Sequence, residues 1–574
     1  VNQYKTVYKY DIEDKLTEIR YPKSEDDKLK GVIFEYNGYK WLTKIKGIIE
    51  EDGEEIHRDI RTYEYYNDSN VKTIVERNGF LNGTAVYTQK TYEYDVFDRV
   101  TSITTSSGED TAGVKEQHTY TYDKNSNITS EKIVNNYPTE TADRVNETRT
   151  YTYDKLNRLK TSSVTNHITQ AVINTEYAYD KVGNCTSIVK DGQTTWNSYN
   201  PLNQLTQKSE MVDNKNQLTF FSYDAAGNQI LEQTMITSPP IIHTVQNEYD
   251  ANNQLVKTTE REGGTTGTII NSSEYAYNSE GQRVSKTVNG EKTYYYYQGE
   301  TLLYTTDADG NKTSQNIVGL EGNIIATIRY DNGQHAYFYN KDIRTSVVNI
   351  IDESGNGVVS YRYDDFGATS KYGDEDFYNE VCYTSGIYDE VTEQYYFNAR
   401  YYDSENLTFL TRDTYLGRFN EPQTLNRYVY CWNNSISRID PSGHDSYVFS
   451  KSQYKGHSNE IKKVLKKYYK KISHSKSTNS YQSFKKEWNS MKGAKIECVV
   501  LYFHSSPESI GVVSRVMVRK LTKKNVRRLI ILGCNAGHDD FAFSNISYEF
   551  RKKINGPVIA SDGTVVYYGA ELPV

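Results

Sequence analysis

Tyr151-Thr152-Tyr153-Asp154-Lys155-Leu156-Asn157-Arg158-Leu159 is the stretch on which the fold turns. Aromatic and β-branched residues alternate with polar ones up to Tyr153, the period-2 signature of a strand. Asp154 and Asn157 then bracket four residues suited to a tight turn, because Asp and Asn bond their own backbone or tolerate positive φ. Arg158-Leu159 opens the next strand. The same frame recurs as Tyr92-Glu93-Tyr94-Asp95, Tyr122-Asp123, Tyr177-Ala178-Tyr179-Asp180, Tyr223-Asp224 and Tyr249-Asp250, and in weakened form as Tyr199-Asn200 and Tyr277-Asn278. Between the Asp or Asn positions 95, 123, 154, 180, 200, 224, 250 and 278 the gaps are 28, 31, 26, 20, 24, 26 and 28 residues. A period in that range is the mark of a repeat architecture, in which each hairpin buries its apolar face only against its neighbours. The tyrosines read as structural: no catalytic scheme needs one at every turn.

Composition agrees. The chain has 574 residues, 54 Tyr, 10 Pro and 13% aromatic residues, with a mean hydropathy of -0.77. It is too long for one compact core, and too aromatic to be disordered despite its polarity. No run is apolar enough to span a membrane. The chain opens on Val1 without a signal-like stretch and reads as a fragment of a longer protein. The five cysteines (185, 382, 431, 498 and 534) are scattered without metal-ligand spacing, so neither a disulfide framework nor a metal or other cofactor is expected.

The net charge of -8 hides an asymmetry. Residues 444–574 hold 23 Lys+Arg against 10 Asp+Glu, a net of +13; the remaining 44 and 65 leave residues 1–443 at -21. Such a split indicates two different parts joined in one chain, and an acidic container would attract a basic cargo.

Beyond the repeats come Tyr337-Phe338-Tyr339-Asn340-Lys341-Asp342-Ile343-Arg344-Thr345-Ser346 and Tyr361-Arg362-Tyr363-Asp364-Asp365-Phe366-Gly367. Tyr395-Tyr396-Phe397-Asn398-Ala399-Arg400-Tyr401-Tyr402-Asp403, Leu425-Asn426-Arg427-Tyr428-Val429-Tyr430 and Asp440-Pro441-Ser442-Gly443 follow. With the repeats, these resemble the YD-repeat proteins: Rhs proteins, the C components of bacterial Tc toxins, and teneurins. Ile343-Arg344-Thr345 departs from the family's His-Leu-Gly. The resemblance covers about residues 1–443. It implies a mostly β fold, a YD-repeat strip wound into a hollow shell (1–335), closed by an Rhs-associated core (336–443) and followed by a variable C-terminal effector (444–574).

Arg412-Asp413-Thr414 and Asp440-Pro441-Ser442-Gly443 match the paired Asp-Pro elements of that core, with Thr414 where the family has Pro. In the family these aspartates resemble an aspartic-protease dyad that cuts the chain just past the second element. Two close carboxylates do not readily ionise together, which leaves one as acid and one as base. Arg412, Asp413 and Asp440 are therefore the junction candidates; the plainer reading of both aspartates is ordinary turn material.

In the C-terminal part, Asn459–Tyr469 reads as the start of a basic amphipathic helix, 459–472. Three apolar runs stop at His504, at Cys534 and just before Asp562, as buried strands of a parallel sheet would. A small α/β domain follows, with residues 508–526 and 539–554 as crossovers. The active crevice of such a sheet lies past the carboxyl ends of its strands. A His504–Cys534 thiolate–imidazolium pair there resembles the caspase-like cysteine peptidases. His538 is a second candidate base, and Cys498 reads as core. A Cys ending an apolar strand is as readily a small core residue. The expected reading is a secreted or cell-surface toxin whose effector is delivered into a target cell. Its partners would be a cognate immunity protein, a delivery apparatus and a target macromolecule, a protein ahead of a nucleic acid. The alternatives are a nuclease effector, from the +13 charge, and a non-enzymatic YD-repeat adhesion protein.

Overall fold

The computed structural model describes residues 5–448 apart from short stretches (13–14, 23–26, 109–112, 238–239, 320–322, 332, 415–423, 441–442 and 444–446), and seven short strands from Val499 onward. The chain divides into two units, Val1–Ser450 and Lys451–Val574.

In the first unit a single antiparallel sheet of thirty described strands runs from Val7–Tyr10 to Thr369–Gly373, and each strand pairs with the next in sequence. The expected β-strip is therefore present, and its pairing continues through position 335 without a break. A separate four-stranded sheet follows: Ile387–Asp389, Gln394–Phe397, Arg400–Asp403 and Thr408–Phe409.

The repeat owes its form to one five-residue turn. In Asp154–Arg158, Asp154 Oδ1 accepts the backbone N–H groups of Leu156 at 2.8 Å and Arg158 at 3.0 Å. Asn157 takes φ 61°, which an Asn side chain tolerates. The Asp180 turn repeats the bonds to Val182 and Asn184 at 3.0 and 2.9 Å, and Gly183 takes the positive φ. The tyrosine before each aspartate then reaches back one repeat. Tyr179 Oη donates to Leu159 O at 2.8 Å, Tyr94 to Val71 O at 2.9 Å, Tyr249 to Gln229 O at 3.0 Å and Tyr277 to Leu255 O at 2.7 Å. The accepting residue is in each case the one that opens the second strand of the preceding hairpin. Tyr and Asp thus do separate jobs: Asp closes a turn, and Tyr staples that turn to the last one.

The tyrosine two positions earlier lies on the sheet's buried face, as at Tyr151, Tyr177 and Tyr275. That face is packed against the later chain. Tyr21 bonds Asn316 O (3.1 Å), Lys90 bonds Tyr339 O (3.1 Å), Arg149 bonds Tyr363 O (2.9 Å) and Tyr177 bonds Asp365 (2.8 Å). Further along, Gln204 bonds Tyr428 Oη at 3.0 Å, and Arg283 bonds Asp389 at 2.6 Å. Arg283 is fully buried and ringed by Tyr275, Tyr295, Tyr396 and Tyr401 at 4.8–5.8 Å from their ring centres.

The departure at Ile343-Arg344-Thr345 has a physical counterpart in these contacts. Arg344 binds Asp342 at 2.7 Å and reaches Glu131 of the strip at 3.6 Å. Glu131 also holds His118 at 3.2 Å, and Glu116 takes the other ring nitrogen at 3.0 Å. Burial opposes the charge on His118, but the two carboxylates outweigh it and its pKa is pushed up to about 10. Burial works against Glu131 as well, yet Arg344 and His118 hold it down at about 2.

In the second unit, Val499–Tyr502 pairs parallel with Leu529–Leu532, which pairs parallel with Val558–Ala560; Val566–Tyr567 adds antiparallel. The three expected strands are thus sheet neighbours. Ser505–Ser506, Ser509–Ile510 and Val513–Ser514 form a small antiparallel sheet where the first crossover was expected to begin. The helix expected at 459–472 lies outside the described residues. Among the described residues no helix is long and apolar enough to cross a membrane.

Tyr179→Phe should lower stability by about 1 kcal/mol, the worth of one such hydrogen bond, as read by chemical denaturation. His118→Gln should cost about 3 kcal/mol at pH 6, because it removes the buried cation that two buried carboxylates share. The folded pKa of His118 lies above its ordinary 6.5, so its contribution is complete below pH 6.5 and fades towards about 10. The gap between parent and variant should close over that window.

Candidate functional site

The described residues around Gly443 converge on one side chain, Arg400. It lies on the Arg400–Asp403 strand, between the strands Gln394–Phe397 and Thr408–Phe409. Its side chain is 4% exposed, so the charge needs partners. It has four. Nη2 meets Asp413 Oδ2 at 3.0 Å and Asp440 Oδ2 at 3.4 Å. Nη1 donates to the backbone carbonyl of Arg427 at 3.2 Å, and Nε donates to the carbonyl of Gly443. The guanidinium lies over the Phe409 ring, 3.5 Å from its centre.

The two aspartates predicted to form a pair are therefore brought together, both buried, on a shared guanidinium nitrogen. The loop carrying Asp413 is fixed by its own backbone. Asp413 N–H donates to Arg427 O at 2.9 Å, and the Arg427 guanidinium donates to Asp413 O. Burial, with the nearby Arg412 charge, pulls the Arg427 pKa below its ordinary value. Thr414, next in the chain, is exposed.

Gly443 sits at φ 74°, and a Cβ there would lie 2.5 Å from Phe397 O. Both facts require glycine at the residue whose carbonyl Arg400 holds. Arg412 is placed differently from Arg400: its Nε is 2.7 Å from where a Cβ on Gly227 would be, in the pocket where Tyr428 Oη donates to Gly227 O at 2.8 Å. The guanidinium that touches both carboxylates belongs to a residue the sequence analysis quoted but did not assign. Its signal is there to read, a lone cation in the aromatic run Tyr395–Tyr402.

His504, Cys534, His538 and Asp562 lie outside the described residues. The strands before the first two are described, and Tyr502 and Leu532 are register partners in the parallel pair. His504 and Cys534 are each two residues further along the chain.

A family model, the teneurin YD-shell, matches residues 117–437, more than half of the chain. The chain belongs to this family. The chain is similar to the tRNA3(Ser)-specific nuclease WapA of Bacillus spizizenii, 33% identical over 277 residues that make up 47% of this chain and 11% of that protein. It is similar also to the tRNA nuclease WapA of Bacillus subtilis strain 168, at 32% over 277 residues and the same shares. The match spans about a tenth of the length of these curated relatives. Among solved structures it aligns with the crystal structure of TcdB2-TccC3, at 14% identity over 77% of this chain and 28% of that one, with a TM-score of 0.29. The Photorhabdus luminescens Tc holotoxin pore aligns at 15% identity over 77% and 27%, also with a TM-score of 0.29.

Arg400→Gln should destabilise the first unit by about 3 kcal/mol at pH 7, since both carboxylates lose their counter-charge.

Proposed function

We propose that this chain is part of a toxin. In this reading the YD strip forms a hollow shell around an effector, and the chain cuts itself just beyond Gly443 to free residues 444–574. The observation that carries the reading is the single guanidinium of Arg400, which joins Asp413, Asp440 and the Gly443 carbonyl. A water between the aspartates would attack a carbonyl at the junction while one carboxylate takes its proton. The other, holding a proton, would give it to the departing amide nitrogen as the C–N bond breaks. Arg400, donating to the Gly443 carbonyl just before the cut, would bring its charge near the oxygen that gains negative charge. Asp413 and Asp440 are the acid–base pair, and Arg412 a flanking residue.

For the effector we infer a small α/β cysteine protease with His504 as base and Cys534 as nucleophile. Support comes from the register of the two parallel strands that precede them. A nuclease is the second reading, favoured by the +13 charge, which suits phosphate binding, and by the nuclease activity in the names of both Bacillus relatives. Either effector implies a cognate immunity protein, a route out of the producing cell, and a macromolecule in the target cell; neither reading invokes a cofactor in the shell.

Intact-mass measurement of the purified chain should show two pieces divided a few residues after Gly443. Asp413→Asn and Asp440→Asn should each remain whole. If both variants are cut as fast as the parent, the aspartate assignment is wrong. When residues 444–574 are expressed alone, Cys534→Ala and His504→Ala should each abolish toxicity and Cys498→Ala should not. Full toxicity of a folded Cys534→Ala protein would leave the nuclease as the effector.

A further inference from the structure

We propose that Phe409 is a positioning residue for the junction reaction. Its ring is the platform that keeps the Arg400 guanidinium in the one plane from which it reaches both aspartates and the Gly443 carbonyl. This rests on the self-cleavage reading given above.

A guanidinium is a planar fork whose donors all point outward in its plane. The four oxygens around Arg400 hold the edges of that plane and leave its faces to be fixed by packing. Phe409 covers a face at 3.5 Å, the closest of the described cation–ring contacts, the next being 4.2 Å. A cation over an aromatic face is held by the ring's quadrupole, the more so when both are desolvated. Here Phe409 is 1% exposed.

The platform is itself immobilised. Phe409 pairs with Tyr402 across the strand, and its ring meets those of Tyr402 and Tyr430 at 5.5 and 5.9 Å. Its N–H donates to Tyr428 O at 2.9 Å, one residue from the Arg427 carbonyl that binds both Arg400 and Asp413 N–H. The two-residue strand Thr408–Phe409 therefore links the strand that carries Arg400 to the segment that fixes the Asp413 loop. The ring carries no proton to give or take, so its effect on the chemistry passes through Arg400.

The experiment compares the rate of junction cleavage against pH in the full chain for the parent, Phe409→Leu, Phe409→Tyr, Asp413→Asn and Asp440→Asn, with folding checked by thermal melting. Phe409→Leu should cleave at least tenfold more slowly. The acid limb of its rate profile should move to higher pH, because a cation held less firmly favours the carboxylate anions less. Phe409→Tyr, which keeps the ring, should stay within about threefold of the parent with its limb unmoved. If leucine unfolds the domain, Phe409→Met, closer in volume, takes its place with the same expectation. A folded ring-less variant that cleaves at the parental rate, or more slowly with an unmoved limb, overturns the proposal while uncut aspartate variants keep the self-cleavage reading intact. Aspartate variants cut as fast as the parent, or a parent that stays whole, remove that reading and the proposal with it.

Discussion

The rest of this molecule depends on a carboxylate that accepts two backbone amides within five residues. Asp154 and Asp180 do this in the same way, and the geometry returns at Asp95, Asp250 and Asp307. A hairpin closed by its own side chain needs no help from distant sequence to fix its register. Because the strands that leave many of these turns also receive a tyrosine hydroxyl from the next hairpin, as Leu159, Val71, Gln229 and Leu255 do, register passes along the strip from one repeat to the following one. A thirty-stranded meander is in this sense one local interaction applied many times over.

That is why so much of the strip could be read from sequence. Tyr-x-Tyr-Asp carries its own meaning, with one tyrosine for the buried face and one for the staple. The contacts between the strip and the later chain were far less legible. Arg283 and Asp389 are 106 residues apart, and nothing local in either segment announces the partner. Arg344 looked like a lapse from a family pattern, yet it is the residue through which the Asp342 turn grips Glu131. A buried charge has its reason in whatever faces it, and in this fold the facing element lies a whole circuit of chain away.

The junction divides the same way. Asp413 and Asp440 stood out because turn chemistry and family pattern coincide there. Arg400 did not, because an arginine within Tyr-Tyr-Phe-Asn-Ala-Arg-Tyr-Tyr gives no hint of which carbonyl or carboxylate it will meet. Its side chain is placed by residues that the local sequence does not announce: Asp413, Asp440 and the Phe409 ring. Nor does charge balance alone identify the site, since Arg283 and Arg344 are also buried and paired with carboxylates.

The packing of late residues on early ones has a temporal side. Strand pairing between sequence neighbours lets the strip form as the chain emerges, hairpin by hairpin. The surroundings of Arg400 cannot form so early. They draw on residues 400, 409, 413, 427, 440 and 443, and these lean on Gln204, Gly227 and Gln229 of strands laid down long before. The stretch that holds Arg400 therefore leans on strip residues about two hundred positions earlier, and a fault near Gln204 or Gly227 would be felt at Arg400.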